Sequence, residues 1–227
     1  NALAVRGNAD FDIRHNFSAA VTYNIPNPKR GALKKLLDNW ATDVIVHVYS
    51  APPFSVTSGS EVDAFGRSFA RRVNLITGVP LYLYGPQYPG GKILNNAAPD
   101  PTAVLAAGCV AATATNAKGA FCTAPTGQQG NLGRNALRGF PLNQVDFALR
   151  RQFNLTERVN LQFRAEAFNL FNHPNFALPV NSLTDAQFGL STRTLGQSLT
   201  AAGASGLSPL FQVGGPRSIQ FALRLSF

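Results

Sequence analysis

Hydrophobic and polar positions alternate with a period of two in five stretches of the chain, the pattern of a strand with one apolar and one polar face. In the first, Phe11, Ile13, Phe17, Ala19, Val21, Tyr23 and Ile25 take the apolar side, interrupted by His15. Asp12, Arg14, Asn16, Ser18, Thr22 and Asn24 take the other, and Pro26 and Pro28 stop the run. The second sets Trp40, Val44, Val46 and Val48 against Asp43, His47 and Tyr49, and ends at Ala51-Pro52-Pro53. The third sets Val145, Phe147, Leu149 and Phe153 against Gln144, Asp146, Arg150 and Gln152. The fourth sets Val159, Leu161, Phe163, Ala165 and Ala167 against Asn160, Gln162, Arg164 and Glu166. The fifth sets Ile219, Phe221, Leu223, Leu225 and Phe227 against Ser218, Gln220, Arg224 and Ser226.

Strands of this length cross a bilayer when tilted, whereas strands of a soluble sandwich run to about 5–6 residues. The polar faces also carry charges of both signs, Arg164 beside Glu166 for example, which suits a wet interior. The connections alternate in length. Little more than Thr156-Glu157-Arg158 joins the third stretch to the fourth, while long segments lie between the second and third and between the fourth and fifth. The Pro26–Asn39 link belongs to the short side. This rhythm predicts an all-β, antiparallel transmembrane barrel with short periplasmic turns and long extracellular loops. A soluble β-sandwich is the alternative. The loops, rich in Gly, Pro, Asn and Ala, are expected to be irregular excursions, with room for a short strand within Arg72–Tyr84.

Composition narrows the classes. The longest apolar runs, Val73–Gly85 and Ala103–Thr115, are too short and broken for a transmembrane helix. The net charge of +9 is scattered, and its densest group, Lys29, Arg30, Lys34 and Lys35, reads as a solvated turn, so no nucleic-acid partner is expected. Asn1 in place of an initial Met, with no leader following, reads as a fragment or a processed chain. Cys109 and Cys122 sit in one Gly/Ala/Thr-rich stretch, read as a disulfide closing a surface loop in an oxidising compartment, the alternative being two thiols. His15, His47 and His173 lack ligand spacing, so neither a metal nor another cofactor is expected. Asp12 with Asp146, or Glu157 with Glu166, lack a fixed separation for acid–base work; Gly90-Gly91-Lys92 is not a phosphate loop; no nucleophile elbow occurs. No enzyme is expected. Asn169, Asn172, His173 and Pro174 read as turn punctuation or as a ligand contact at the outer mouth, the turn being preferred.

Four segments carry a family resemblance. They are Asp10-Phe11-Asp12-Ile13-Arg14-His15-Asn16-Phe17 with Tyr23-Asn24-Ile25-Pro26, Gly130-Asn131-Leu132-Gly133-Arg134-Asn135 with Leu137-Arg138-Gly139, Gln162–Phe176, and Pro216–Phe227. Together they resemble the TonB-dependent, Oar-like outer-membrane transporters. The resemblance implies that 1–227 is the C-terminal part of a 22-stranded barrel, with a plug and earlier strands upstream.

It further implies uptake of a bulky solute across the outer membrane of a Gram-negative cell, energised by the TonB complex through the missing N-terminal part. Five strands cannot close a barrel, since natural examples start at eight, so transport belongs to the parent protein. Asp12, Arg14, Asp146, Arg150, Arg164, Glu166 and Arg224 are expected to face the lumen, the arginines biasing it toward anionic or polar solutes. Phe147, Leu161, Phe163, Leu223 and Leu225 are expected to face lipid, and Ile219, Phe221, Leu223, Leu225 and Phe227 to form the signal read by the barrel assembly machinery through strand addition. The competing function is a surface-structural or adhesion protein that uses the barrel as an anchor.

Overall fold

The structure is a computed structural model that describes residues 7–26, 38–62, 65–199 and 213–227. In chain order its strands are β1 (Asn16–Asn24), β2 (Trp40–Tyr49), β3 (Pro53–Phe54), β4 (Thr57–Val62), β5 (Ser68–Leu75), β6 (Tyr82–Tyr84), β7 (Lys92–Leu94), β8 (Ala117–Lys118), β9 (Phe121–Thr123), β10 (Leu137–Arg138), β11 (Leu142–Asn154), β12 (Asn160–Phe168) and β13 (Ser218–Ser226). No described helix is long and apolar enough to cross a membrane. The chain divides into two units.

The first unit is a five-stranded sheet in the order β1-β2-β11-β12-β13, every neighbouring pair antiparallel. Its strands are 9, 10, 13, 9 and 9 residues long, close to the bilayer-crossing length of about 9–11. All five alternating stretches of the sequence lie here, apart from Phe11–Arg14 of the first. The register runs without a shift through rows such as Val21, Val44, Phe147, Ala167 and Ile219. Residues directly opposite one another share a face, so the apolar sides of all five strands merge into one continuous surface. That surface is bare: Val21, Phe221 and Leu223 are each more than 60% exposed. Leu155–Val159 links β11 to β12, with Leu155 and Thr156 N–H groups donating to the Val159 carbonyl at 2.9 and 3.1 Å. Most of the segment between β1 and β2, including Lys29, Arg30, Lys34 and Lys35, lies outside the described residues.

β1 starts at Asn16, not at Phe11. The alternation from Phe11 to His15 is real in the sequence, but this stretch turns instead: Asp12 N–H donates to the Ala9 carbonyl at 3.1 Å and Ile13 N–H to the Phe11 carbonyl at 2.9 Å. Periodicity alone does not distinguish a paired strand from an extended approach to one.

The second unit contains 7–14, 50–141 and 176–193. The loops expected to be irregular form a packed body here, which corrects that expectation. β4 and β5 make a hairpin, β5 pairs with β9 and β9 with β8, and two small ladders join β6 to β7 and β3 to β10. Val56, Val73, Leu94, Phe121, Leu132, Leu183 and Phe188 form its core, with Phe121 edge-on to Phe188 at 5.7 Å. A satellite cluster joins Ile76, Val104, Ala117, Cys109 and Cys122, the two cysteines being linked as a disulfide. The nearly low-complexity stretch before Gly108 holds a one-turn helix, Pro101–Ala106, whose first turn is capped by the Asp100 carboxylate accepting from Thr102 N–H at 2.9 Å. Gly130 is required where it stands: a Cβ there would run into the Val73 backbone carbonyl.

Candidate functional site

The face opposite the apolar surface of the sheet is a lattice of polar side chains. Register places Asp43, Asp146, Arg150, Arg164, Glu166 and Arg224 together on it. Arg150 meets the Asp43 carboxylate at 3.5 Å, and the Thr22 hydroxyl donates to the same carboxylate at 2.7 Å. Arg164 pairs with Glu166 at 2.7 Å, and the Gln220 amide donates to Glu166 at 2.7 Å. Gln144 donates to Asp146 at 2.8 Å. Two of the three arginines on this face, Arg150 and Arg164, are thus paired with carboxylates.

Toward the Leu155–Val159 turn this face hollows into a concavity of about 560 Å³, lined by Asn24, Asn39, Arg150, Gln152, Asn154 and Gln162 with Pro26 among its apolar walls. Amides donate and accept at once, so such a lining suits neutral polar groups such as hydroxyls and other amides. The sequence marks Arg150 as a lumen residue and sets Asn24, Gln152 and Gln162 on the polar sides of their strands without singling them out. The amides' signal was available, because all but Asn39 lie at polar positions of the alternating strands.

Two of the expected lumen residues are elsewhere. Arg14 precedes β1, and Asp12 belongs to the second unit, where it forms an ion pair with Arg138. The Arg138 guanidinium also donates to the Asp12 carbonyl at 2.6 Å. Beside it Asp10 pairs with Arg134 at 2.7 Å and accepts from the Asn135 amide at 2.6 Å. That amide, with the neighbouring arginine, holds the Asp10 carboxyl below its ordinary pKa. Asn135, itself in the left-handed region at φ 53°, further donates to the Asn8 carbonyl and exchanges hydrogen bonds with Ser55. The Asp10–Asp12 and Arg134–Arg138 motifs are therefore partners in one clasp, a structural role.

The Asn169–Asn175 corner is structural too. Asn169 is 1% exposed and adopts φ 50°. Its amide donates to the His173 and Gly215 carbonyls at 2.8 and 2.9 Å, and its side-chain oxygen accepts from His173 N–H at 2.9 Å. Both polar atoms of that side chain are thus bonded to backbone, within the turn and at Gly215, the structural role expected of turn punctuation. Asn172, at φ 51°, accepts from Arg217 N–H at 3.0 Å. In the second unit Lys92 lies over the Tyr82 and Phe140 rings at 5.1 Å and donates to the Gly139 carbonyl at 2.8 Å. Burial pushes its ammonium pKa down, yet the surrounding crevice leaves no room for a solute.

Ile219, Phe221, Leu223 and Leu225 line the apolar side of β13, and Phe227, just past its end, is 96% exposed. Among the described residues no three His, Cys, Asp or Glu side chains gather as a metal site would require. His47 instead bonds to Ser18 and Tyr49 within the sheet.

A family profile described as an outer membrane beta barrel domain matches residues 1–220. No curated protein and no solved structure matches the chain. With its antiparallel sheets and bare apolar face, the chain belongs to the outer membrane beta barrel domain family, and its place is the outer membrane.

Proposed function

We propose that this chain is the C-terminal portion of a larger barrel of the TonB-dependent, Oar-like kind, and that the parent protein takes up a bulky polar solute using energy from the TonB complex. The observation that carries the reading is the sheet's two-faced, open form. One face is continuously apolar, the other is a charge-balanced polar lattice, and β1 and β13 each have a strand neighbour on one side only among the described residues. An open edge in hydrocarbon leaves N–H and C=O groups unsatisfied at several kcal/mol each, so further strands must complete the ring. A ring that large leaks unless plugged, which assigns gating to an N-terminal part. The motif resemblance supplies the TonB coupling. The polar lattice then lines the lumen, and Gln152, Asn154 and Gln162 meet the solute or the plug. β13 offers an edge of alternating apolar residues to the barrel assembly machinery. No catalytic role and no cofactor are proposed.

The second unit favours a rival reading. A loop body with its own core and disulfide is what a surface adhesin would display. The test compares full-length parent, parent without its plug, and this segment, in cells with and without a proton-motive force. Energy-dependent uptake by the full-length form alone supports the transporter. Passive uptake by that form points to a porin, and surface binding without uptake points to adhesion.

A further inference from the structure

The concavity on the polar face has a cause in the strand register. Ala41 stands between Asn24 on one side and Arg150 on the other, so a methyl group forms the floor between two longer side chains. Trp40, which faces Arg151, is the first residue of β2, and β11 runs on through 152–154 beside β12. Pro26 follows β1 and has no N–H with which to prolong that ladder. The hollow therefore opens where two strands end and two continue.

Its chemistry is that of amides. Asn24, Gln152, Asn154 and Gln162 line it, and no carboxylate does. Arg150 is the charged member of the lining, and the Asp43 carboxylate holds it at 3.5 Å. Gln152 donates to the Asn154 side-chain oxygen at 3.4 Å. An amide group carries two donors and two acceptor sites, so that bond leaves both side chains with donors and acceptors in hand. The C=O and NH₂ of an amide lie side by side in one plane. Such a group accepts from one hydroxyl and donates to the hydroxyl beside it. Gln162 is the register partner of Gln152, and Asn154 is two residues along β11. Amides therefore recur about 5 Å apart across the strands and about 7 Å apart along them. That repeat suits a ligand whose hydroxyl pairs recur from ring to ring. Ala41 and Pro26 add small apolar patches for the C–H faces of such rings, and the volume of about 560 Å³ is that of a site for a short oligomer.

We propose that this hollow is a binding site for a neutral oligosaccharide, whose neighbouring hydroxyls are bonded in pairs by Asn24, Gln152, Asn154 and Gln162. The proposal rests on the transporter reading above and names the class of its solute. In that reading the short turns face the periplasm, so solute leaving the lumen passes the hollow last. Arg224, the register partner of Gln162 on β13, lies outside the lining and sets no requirement for an anion.

The test uses the full-length protein. Binding is measured by calorimetry in a non-ionic detergent, and uptake in cells with and without a proton-motive force. The probes are a neutral glucose hexasaccharide, its fully O-methylated form and a hexamer of glucuronic acid. The neutral hexasaccharide should bind and be taken up with energy. The methylated form, which accepts hydrogen bonds but cannot donate them, should bind at least about tenfold more weakly. Gln162→Ala should weaken binding of the neutral probe about fivefold, the loss of one neutral hydrogen bond. Gln162→Glu keeps the size of the side chain but removes its donors; it should lose as much, and it carries the comparison if the alanine variant assembles poorly. Equal binding by wild type and both variants overturns the proposal. So does preference for the glucuronic acid hexamer, or equal binding of the methylated form. Passive entry of the hexasaccharide through the variants would mean that the hollow seats a plug, and overturns it too. Energy-dependent uptake of another solute, with no binding of the hexasaccharide, overturns this proposal alone. Absence of energy-dependent uptake of any solute overturns the transporter reading as well.

Discussion

The sheet and the body formed from 50–141 and its neighbours bury opposite kinds of side chain. In the body the fully buried large residues are Phe121, Phe188, Leu94, Leu183, Val56, Val73, Val104 and Cys122. In the sheet unit they are Asn169 and Asn175, while Phe221, Leu223 and Ile219 stand exposed. The body has the interior of a soluble domain. The sheet unit keeps its polar groups inward at the corner and turns its hydrocarbon outward. One chain thus answers to two solvents: water drives the apolar side chains of the body together, and lipid leaves those of the sheet spread over a surface.

The sharpest way to break this comparison is to make the same change in both units. Phe121→Ala should destabilise the body by about 3–5 kcal/mol through the cavity it leaves. Phe221→Ala removes a ring stacked on Phe163 at 6.1 Å and should cost about 1 kcal/mol in the membrane-embedded protein. Hydrogen exchange of each unit in the full-length protein measures both. Equal losses would mean that the sheet hides a core of its own.

Next in size is charge placement. Phe147, midway along the apolar side of β11, should tolerate arginine poorly, at about 2–4 kcal/mol. Gln220→Arg, next to Glu166 on the polar face, should assemble as wild type does. Heat-modifiable mobility of the full-length protein reads both, and matching behaviour would reverse the assignment of the faces.

The disulfide separates the units a third way. Cys109→Ser with Cys122→Ser opens a loop with a sequence separation of 13 and should cost the body about 3 kcal/mol while leaving the sheet intact. Limited proteolysis should cut within 97–124 in the double variant and spare 142–168. Early loss of the sheet strands would show that the body's closure supports both.

The smallest effect is with pH. The folded-state pKa of Asp10 lies below its ordinary value, so the clasp to Asn135 and Arg134 is fully formed above that ordinary value and weakens as pH falls through the folded one. Amide exchange at 134–135 should quicken in acid before exchange in β11 does. Asp10→Asn should remove the difference.

How far these units were legible follows from the same contrast. Strands that meet lipid on one side and water on the other must alternate, and the five runs were readable down to which residues share a face. The first was read too long, because Phe11 and Ile13 keep the rhythm while Asp12 turns aside to Arg138, a partner far along the chain. The body left weaker traces. Its strands are two to eight residues long, its core is drawn from Val56, Phe121 and Phe188, and no local period links such positions. The corner asparagines were readable as turns, since Asn tolerates positive φ, but their burial was not. Counting by twos from Phe153 assigns Arg151 to the apolar side from the sequence alone.

Tyr49 and Leu142 are register partners at adjoining ends of β2 and β11. The whole excursion between them therefore departs from and returns to one rung of the ladder. For the sheet, that span is equivalent to a hairpin turn of arbitrary content. Lineages can lengthen or trade it without renegotiating any pairing of the five sheet strands, provided that 7–14 and 176–193, whose Asp10, Asp12, Leu183 and Phe188 partner it, change with it. The same rung is a natural graft point: an unrelated domain whose termini lie about 5 Å apart, the spacing of neighbouring strands, can be spliced between residues 49 and 142 with the wall unchanged.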